Sequence, residues 1–207
     1  MTPDEDRIAL RRAYAKQVGN RETSSKQDWK LAARADFLQR LQTSDARTLI
    51  EIGSGPGQDA LFFQENGLEV LATDLTPEHV AACGQKGLRA MVMDVCDLQL
   101  DGESFDAAFS LNTLLHLPKE EFPLAMENIR GTLKHGGLFY LGLYGGRDSA
   151  GVYEDDVYEP KRFFSFFSDA ALKMAIAPYF DIVSFEAVDL NNEDDLHFQS
   201  VVLQKPA

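Results

Sequence analysis

The chain has 207 residues, 44% hydrophobic and 26% charged, with 20 Lys and Arg against 33 Asp and Glu and a formal net charge of −13. That length and balance suit one globular domain with at most a small appendage. They disfavour a nucleic-acid partner, because phosphate binding needs a basic face, and Lys and Arg adjoin only at Arg11-Arg12 and Lys161-Arg162.

No apolar run approaches the ~20 residues of a membrane span. The opening MTPDEDRIAL lacks the basic-then-apolar order of a secretion signal. Cys83 and Cys96 have neither metal spacing nor the look of a disulfide framework. The expectation is a cytoplasmic protein without a bound metal.

Residues 4–18 read as a helix, with Leu10, Ala13 and Tyr14 at helical spacing and Gly19-Asn20 as its stop. Ser24-Ser25 can cap a second helix that carries Trp29, Leu31, Phe37, Leu38 and Leu41. From Thr48 onward, strands and helices alternate. The strands are 48–52, 68–73, 88–93, 105–111 and 138–144. The helices are about 57–66, one opened by Thr76-Pro77-Glu78, and about 119–133. Such alternation predicts a parallel sheet covered by helices on both faces. Residues 145–162 read as a long loop rich in charge and aromatics. A helix follows at about 169–177. Strands at 181–190 and 197–204 are joined by the acidic turn 191–195 and should pair antiparallel. Phe163-Phe164 and Phe166-Phe167 are too dense for a solvated face and should lock the loop to the core.

The stretch TLIEIGSGPGQDA, Thr48 to Ala60, organises the rest. A short apolar strand runs into glycines at 53, 55 and 57, and a helix starts at once. Glycine permits a sharp turn and close approach of a ligand, and the new helix start offers free N–H groups. The dinucleotide fingerprint requires a third glycine where this chain has Gln58. Glu51 stands just before the first glycine; a carboxylate there opposes a diphosphate and suits a cation.

The pattern E-x-G-x-G-x-G resembles motif I of the class I S-adenosylmethionine (SAM) methyltransferases, and the motif order agrees over about residues 48–144. The resemblance implies a three-layer Rossmann-like α/β fold. Its seven-stranded sheet would be mostly parallel with an antiparallel last strand, beneath an N-terminal helical cap. Residues 1–45 would be the cap, 46–207 the SAM-binding domain, and the loop 145–168 an acceptor-site element. The cofactor would be SAM and the product S-adenosylhomocysteine. A methyl group would pass by direct displacement to N, O or S of a small molecule, in a monomer or homodimer.

The resemblance also assigns residues. Glu51, Gly53, Gly55 and Gly57 would form the cofactor turn. Asp74, at a strand end, would accept from the ribose hydroxyls, and Leu75 would lie along the adenine. Met93 and Val95 would sandwich the ring, with Asp94 at its exocyclic amine and Asp97 as a competitor in the turn. The carbonyl near Ser110 would take the ammonium, with Leu111 beside it. Arg34 would pair with the cofactor carboxylate, or sit exposed on its helix. Trp29 would wall the site, or simply pack. Asn112 would orient the acceptor, Tyr144 would help to wall its pocket, and His116 would either deprotonate it or pack under a helix. Two other readings stay open: an NAD(P)-dependent oxidoreductase, opposed by Glu51 and Gln58, and a methyltransferase fold that binds without turnover.

Overall fold

The computed structural model describes residues 3–190 and 196–206. Three helices lead: α1 (Pro3–Ala15), α2 (Val18–Thr23) and α3 (Asp28–Thr43). Alternation follows: β1 (Thr48–Ile52), α4 (Gln58–Glu65), β2 (Glu69–Asp74), α5 (Pro77–Gln85), β3 (Arg89–Val92) and β4 (Phe105–Leu111). A 3-10 turn at Leu114–His116 leads to α6 (Phe122–Thr132) and β5 (Leu133–Gly145). The chain continues through β6 (Ser149–Val152), β7 (Phe163–Phe166), α7 (Asp169–Ile176), β8 (Asp181–Val188) and β9 (His197–Gln204).

Seven strands form one sheet in the order β3-β2-β1-β4-β5-β9-β8, with β9 antiparallel to both neighbours and the rest parallel. Alternate residues of a strand face opposite layers, and β1 shows it. Ile50 and Ile52 join Phe122, Met126 and Ile129 of α6 and Leu172 and Ile176 of α7 on one face. Leu49 joins Phe37 and Leu41 of α3, Phe63 of α4 and Cys83 of α5 on the other. The three-layer architecture expected from the sequence is therefore present. Burial of each such side chain contributes roughly 1.5–3 kcal/mol. On the second face Phe63 packs edge-on to Phe109, which stacks on Tyr140 at 4.8 Å, fixing the strands whose ends carry the cleft.

Several boundaries differ from the sequence expectation. Gly19-Asn20 does not stop a helix; α2 runs straight through it. Ser24-Ser25 caps nothing at the start of α3, whose N-cap is Gln27. Ser24 Oγ instead donates back to the Arg21 carbonyl at 3.0 Å, closing α2. The 145–162 stretch contains a strand, since β6 pairs antiparallel with β7. β5 begins at Leu133 and continues across Gly136-Gly137, absorbing a register shift against β4 between Phe105 and Ala107. The acidic turn at 191–195 lies outside the described residues.

Candidate active site

A cleft runs along the C-terminal ends of β1, β2 and β4, in three adjoining compartments that all touch Gly53. Open parallel sheets place ligands at this edge because the strand-to-helix turns converge there. Here the turn after β1 is tied to its neighbour: Gly53 N and Ser54 N both donate to the Thr73 carbonyl, at 2.8 and 2.9 Å. Gly53 sits at φ +72°, and a Cβ there would lie 2.0 Å from Thr113 Oγ1. Gly57 serves a different contact, since its Cβ would meet Cys83 Sγ and Leu88 behind the turn.

The first compartment is largely apolar. Ile52, Leu75, Met93, Val95 and Leu117 line it, with Asp94 and Glu121 at its margin. Asp94 Oδ1 accepts from Cys96 N at 2.8 Å, and Oδ2 from Arg7 Nε at 2.5 Å. Arg7 also forks onto Glu121, at 3.1 and 2.9 Å. Burial alone would weaken that guanidinium's charge, but the two carboxylates outweigh burial and raise its pKa. Asp97 is exposed and belongs to the turn, where its N–H donates to the Asp94 carbonyl.

The middle compartment is centred on Asp74, only 8% exposed. Its Oδ2 accepts from Gly55 N and its Oδ1 from Thr76 N, both at 2.8 Å. Burial pushes the carboxyl up, yet the neighbouring His79 and these two N–H groups prevail and hold it below the usual range. Tyr14, Arg21, His79, Asn112 and His116 complete the wall.

The third compartment is polar, lined by Arg21, Lys26, Lys30, Glu51, Asp59 and Asn112 among others. Glu51 is 2% exposed, and burial, then the charge of Asp59, push its pKa well up despite Lys26. Asp59 itself is held by Lys26 at 2.6 Å and Arg34 at 2.9 Å. Lys30 donates to Tyr144 Oη at 3.0 Å. Burial, then repulsion from Lys26 and Arg21, lower the Lys30 pKa to about 8.

The residues named from sequence fall into two groups. Glu51, Gly53, Gly55, Asp74, Leu75, Met93, Asp94, Val95, Leu111, Asn112 and His116 line the cleft. Ser110 is fully buried at the end of β4, and Tyr144 reaches the site through Lys30. Arg34 and Trp29 are not among the lining residues. Arg34 is taken up by Asp59 and lies over Phe62 at 3.8 Å, while Trp29 packs on Phe198 at 4.3 Å. Sequence reasoning missed Arg7, Tyr14, Arg21, Lys26, Lys30 and His79. Only their place beside predicted cap helices or the Asp74 turn could have drawn notice.

His116 is fixed on both sides. Its Nδ1 faces the Phe163 carbonyl at 2.9 Å, and a carbonyl only accepts, so Nδ1 carries the proton. Its Nε2 therefore accepts from Tyr14 Oη, at 2.8 Å. Tyr14 Oη in turn accepts from Arg162 Nη1 at 2.9 Å, and Arg162 is paired with Asp156. Burial first, then Arg162 and Arg21, drive the His116 pKa down to about 3. The ring is a neutral acceptor that joins α1 and β7 to the turn after β4.

Buried polar atoms without a partner are rare in folded proteins. This cleft gathers several: Arg21 Nε, Glu51 Oε2, both ring nitrogens of His79 and Asn112 Oδ1. The three compartments thus run from an apolar slot, past a buried carboxylate, to a polar end with unmet donors and acceptors.

Residues 50–141 match the family model described as a methyltransferase domain. An uncharacterized methyltransferase of Mycobacterium sp. (strain JLS) is 30% identical over 114 residues, covering 51% of this chain and 44% of that protein. One from Mycobacterium tuberculosis (strain H37Rv) is 30% identical over 112 residues, covering 49% and 43%. This chain thus spans less than half the length of the curated relatives it matches. Among solved structures, it resembles the 1,6-didemethyltoxoflavin-N1-methyltransferase of Burkholderia thailandensis, bound to 1,6-didemethyltoxoflavin and S-adenosylhomocysteine. That likeness has a TM-score of 0.74 and 21% identity, and covers 100% of this chain and 92% of the other. The [4+2]-cyclase SpnF shares the fold at a TM-score of 0.72 and 17% identity, covering 98% and 96%.

Proposed function

We propose that this chain, whose residues 50–141 match a methyltransferase-domain model and whose fold resembles that of a methyltransferase bound to S-adenosylhomocysteine, transfers a methyl group from SAM to N, O or S of a small molecule. The unpartnered polar atoms gathered in one cleft carry this reading, since a ligand with matching groups would satisfy them together. Arg21, with its buried Nε free, fits the cofactor carboxylate, and Glu51 with its free Oε2 fits the ammonium. Asp74 fits the ribose, and Met93 and Val95 the adenine faces.

When bound, SAM supplies a methyl already made electrophilic by its sulfonium. What the protein adds is alignment and exclusion of water. Arg7, Tyr14 and Arg21 close the cleft from the N-terminal helices, and Arg162 closes it from the β6–β7 side. Both His116 nitrogens are engaged, so that ring holds the closing elements and takes no proton from the acceptor. Tyr144 and Asn112 are left to orient the acceptor, with the β6–β7 segment as its outer wall. In this reading residues 1–45 act as the cap and 46–207 as the catalytic domain. Among the described residues, no helix is long and apolar enough to cross a membrane. We place the protein in the cytoplasm, as a monomer or homodimer without a nucleic-acid partner.

The test is isothermal titration with SAM and S-adenosylhomocysteine, followed by assay of S-adenosylhomocysteine release across a panel of amine, hydroxyl and thiol metabolites. Binding with release supports the reading. Binding of NADH without SAM would reject it. Engagement of both His116 nitrogens, which leaves that ring no part in proton removal, favours a second reading, cofactor binding without methyl transfer. Binding with no release by any acceptor class would favour that one.

A further inference from the structure

His79 has no role in any of the motifs above, yet its position is unusual. It stands in the first turn of α5, where Pro77 opens the helix and Thr76 precedes it. It is only 1% exposed. Its neighbours are the Tyr14 ring, at 5.8 Å between centroids, and the Asp74 carboxylate. Nδ1 lies 3.2 Å from Asp74 Oδ1, close enough to support that carboxylate's charge but not aligned as a hydrogen bond, and Nε2 has no partner. The ring lines the same compartment as Asp74, Gly53 and Gly55.

A buried histidine with no aligned hydrogen bond at either nitrogen is rare, and its loose approach to Asp74 leaves the ring able to meet a ligand. Each hydroxyl of a vicinal diol both donates and accepts. Asp74 is held ionised and can only accept, and its two oxygens already take N–H groups from Gly55 and Thr76. It therefore satisfies the diol's protons and leaves the diol's oxygens without a donor. An imidazole N–H beside it supplies that donor.

We propose that His79 is a second ribose-recognition residue, hydrogen-bonding one hydroxyl of the bound nucleoside next to Asp74 and selecting a ribonucleoside over a deoxynucleoside. The proposal rests on the cofactor reading given above. It adds a positioning group on α5 that acts on the ligand by hydrogen bonding.

The experiment is titration calorimetry with S-adenosylhomocysteine and its 2′-deoxy and 3′-deoxy counterparts, on the unaltered protein, His79→Ala and His79→Gln. The expected result is a loss of about tenfold for His79→Ala toward S-adenosylhomocysteine. Toward the deoxy form that lacks the contacted hydroxyl there is no loss, and the amide donor of His79→Gln restores part of the affinity. The thermal midpoint of the ligand-free Ala variant should not fall. Equal losses toward all three ligands, or no loss at all, overturn the proposal. Should the variants fail to fold, nitrogen-15 histidine spectra of the unaltered protein decide it. A His79 ring-nitrogen shift on saturation with S-adenosylhomocysteine supports the contact, and unmoved resonances refute it. If the unaltered protein binds no S-adenosylhomocysteine, the cofactor reading falls first and this proposal with it, a result visible before any substitution is made.

Discussion

Replacing Glu51 by Gln separates what this residue does for the fold from what it does for the ligand. The carboxyl is 2% exposed, its Oε2 has no partner, and burial, then Asp59, raise its pKa well above the ordinary 4.5. A folded-state pKa above the unfolded one means that the folded chain binds the extra proton. The stabilising contribution is therefore complete below about 4.5 and is lost as pH rises through the folded value. Gln mimics the protonated form at every pH, so the ligand-free variant should melt higher than the parent at neutral pH. On the proposed function the ligand should reverse the preference, because an ammonium beside Glu51 favours the carboxylate. A charge-assisted hydrogen bond contributes about 1.5–3 kcal/mol and a neutral one about 0.5–1.5, so Gln should forfeit about 1–1.5 kcal/mol, or roughly 5–13-fold in affinity. Calorimetry of SAM binding in buffers of different ionisation enthalpy checks both halves. At pH values below the ligand-free pKa of Glu51, the parent should release up to one proton on binding and bind more tightly as pH rises. The variant should lose that proton release. Equal affinities, or proton release that survives the substitution, would refute the reasoning.

Gly53→Ala puts a Cβ 2.0 Å from Thr113 Oγ1 at a backbone φ of +72°. The left-handed conformation alone costs roughly 1–2 kcal/mol, so the melting temperature should drop and S-adenosylhomocysteine binding weaken, both readable by thermal shift with and without ligand. Tyr14→Phe leaves His116 Nε2 buried without its donor and frees Arg162 Nη1. A loss of about 1–3 kcal/mol in denaturant unfolding is expected, and α1 should become more open to limited proteolysis. Asp106 accepts from Arg47 N, Thr48 N, Thr48 Oγ1 and Lys134, and these bonds outweigh burial and lower its pKa to about 2. A depressed carboxylate stabilises above its unfolded value of 3.8 and stops doing so as pH falls through about 2. Asp106→Asn should flatten the acid limb of the stability curve over that window.

The glycine turn was legible because everything that defines it is local. An apolar strand, three glycines and a helix follow within Thr48–Glu65, and the strand ends Asp74 and Leu111, with Asp94 just past β3, follow from the alternation of elements. The segments before and after it resist such reading, because distant residues decide their shape. Gln58 shows this best. From sequence it is the residue that spoils a dinucleotide fingerprint. In the structure its Nε2 reaches the carbonyls of Arg21, Glu22 and Ser24, at 3.2, 2.9 and 3.3 Å, and so fastens the end of α2 over the turn. Gly19-Asn20 stays helical because α2 is held at that end, and intrinsic propensity is the weaker influence. Arg34 and Lys26 lie eight residues apart, and nothing in their spacing says that both converge on Asp59.

Charge complementarity explains why this arrangement holds together. The sheet edge presents a row of acids to the cleft: Glu51 on β1, Asp74 on β2, Asp94 after β3, with Asp59 and Glu121 beside them. Left bare, such a row would repel itself. The N-terminal helices bring the matching cations, Arg7 to Asp94 and Glu121 and Lys26 to Asp59, while Arg21 lies over Gly55. These helices are thus tied to the rim by ion pairs and hydrogen bonds, and among the described residues α3 adds Phe37, Leu38 and Leu41 to the sheet's core. Ion pairs at a partly solvated rim are individually weak and screened by salt, which is what a cover needs if it must release a spent nucleoside. At this edge the acids pair with those cations, and in the proposed function Glu51 and Asp74 stay available to the ligand beneath.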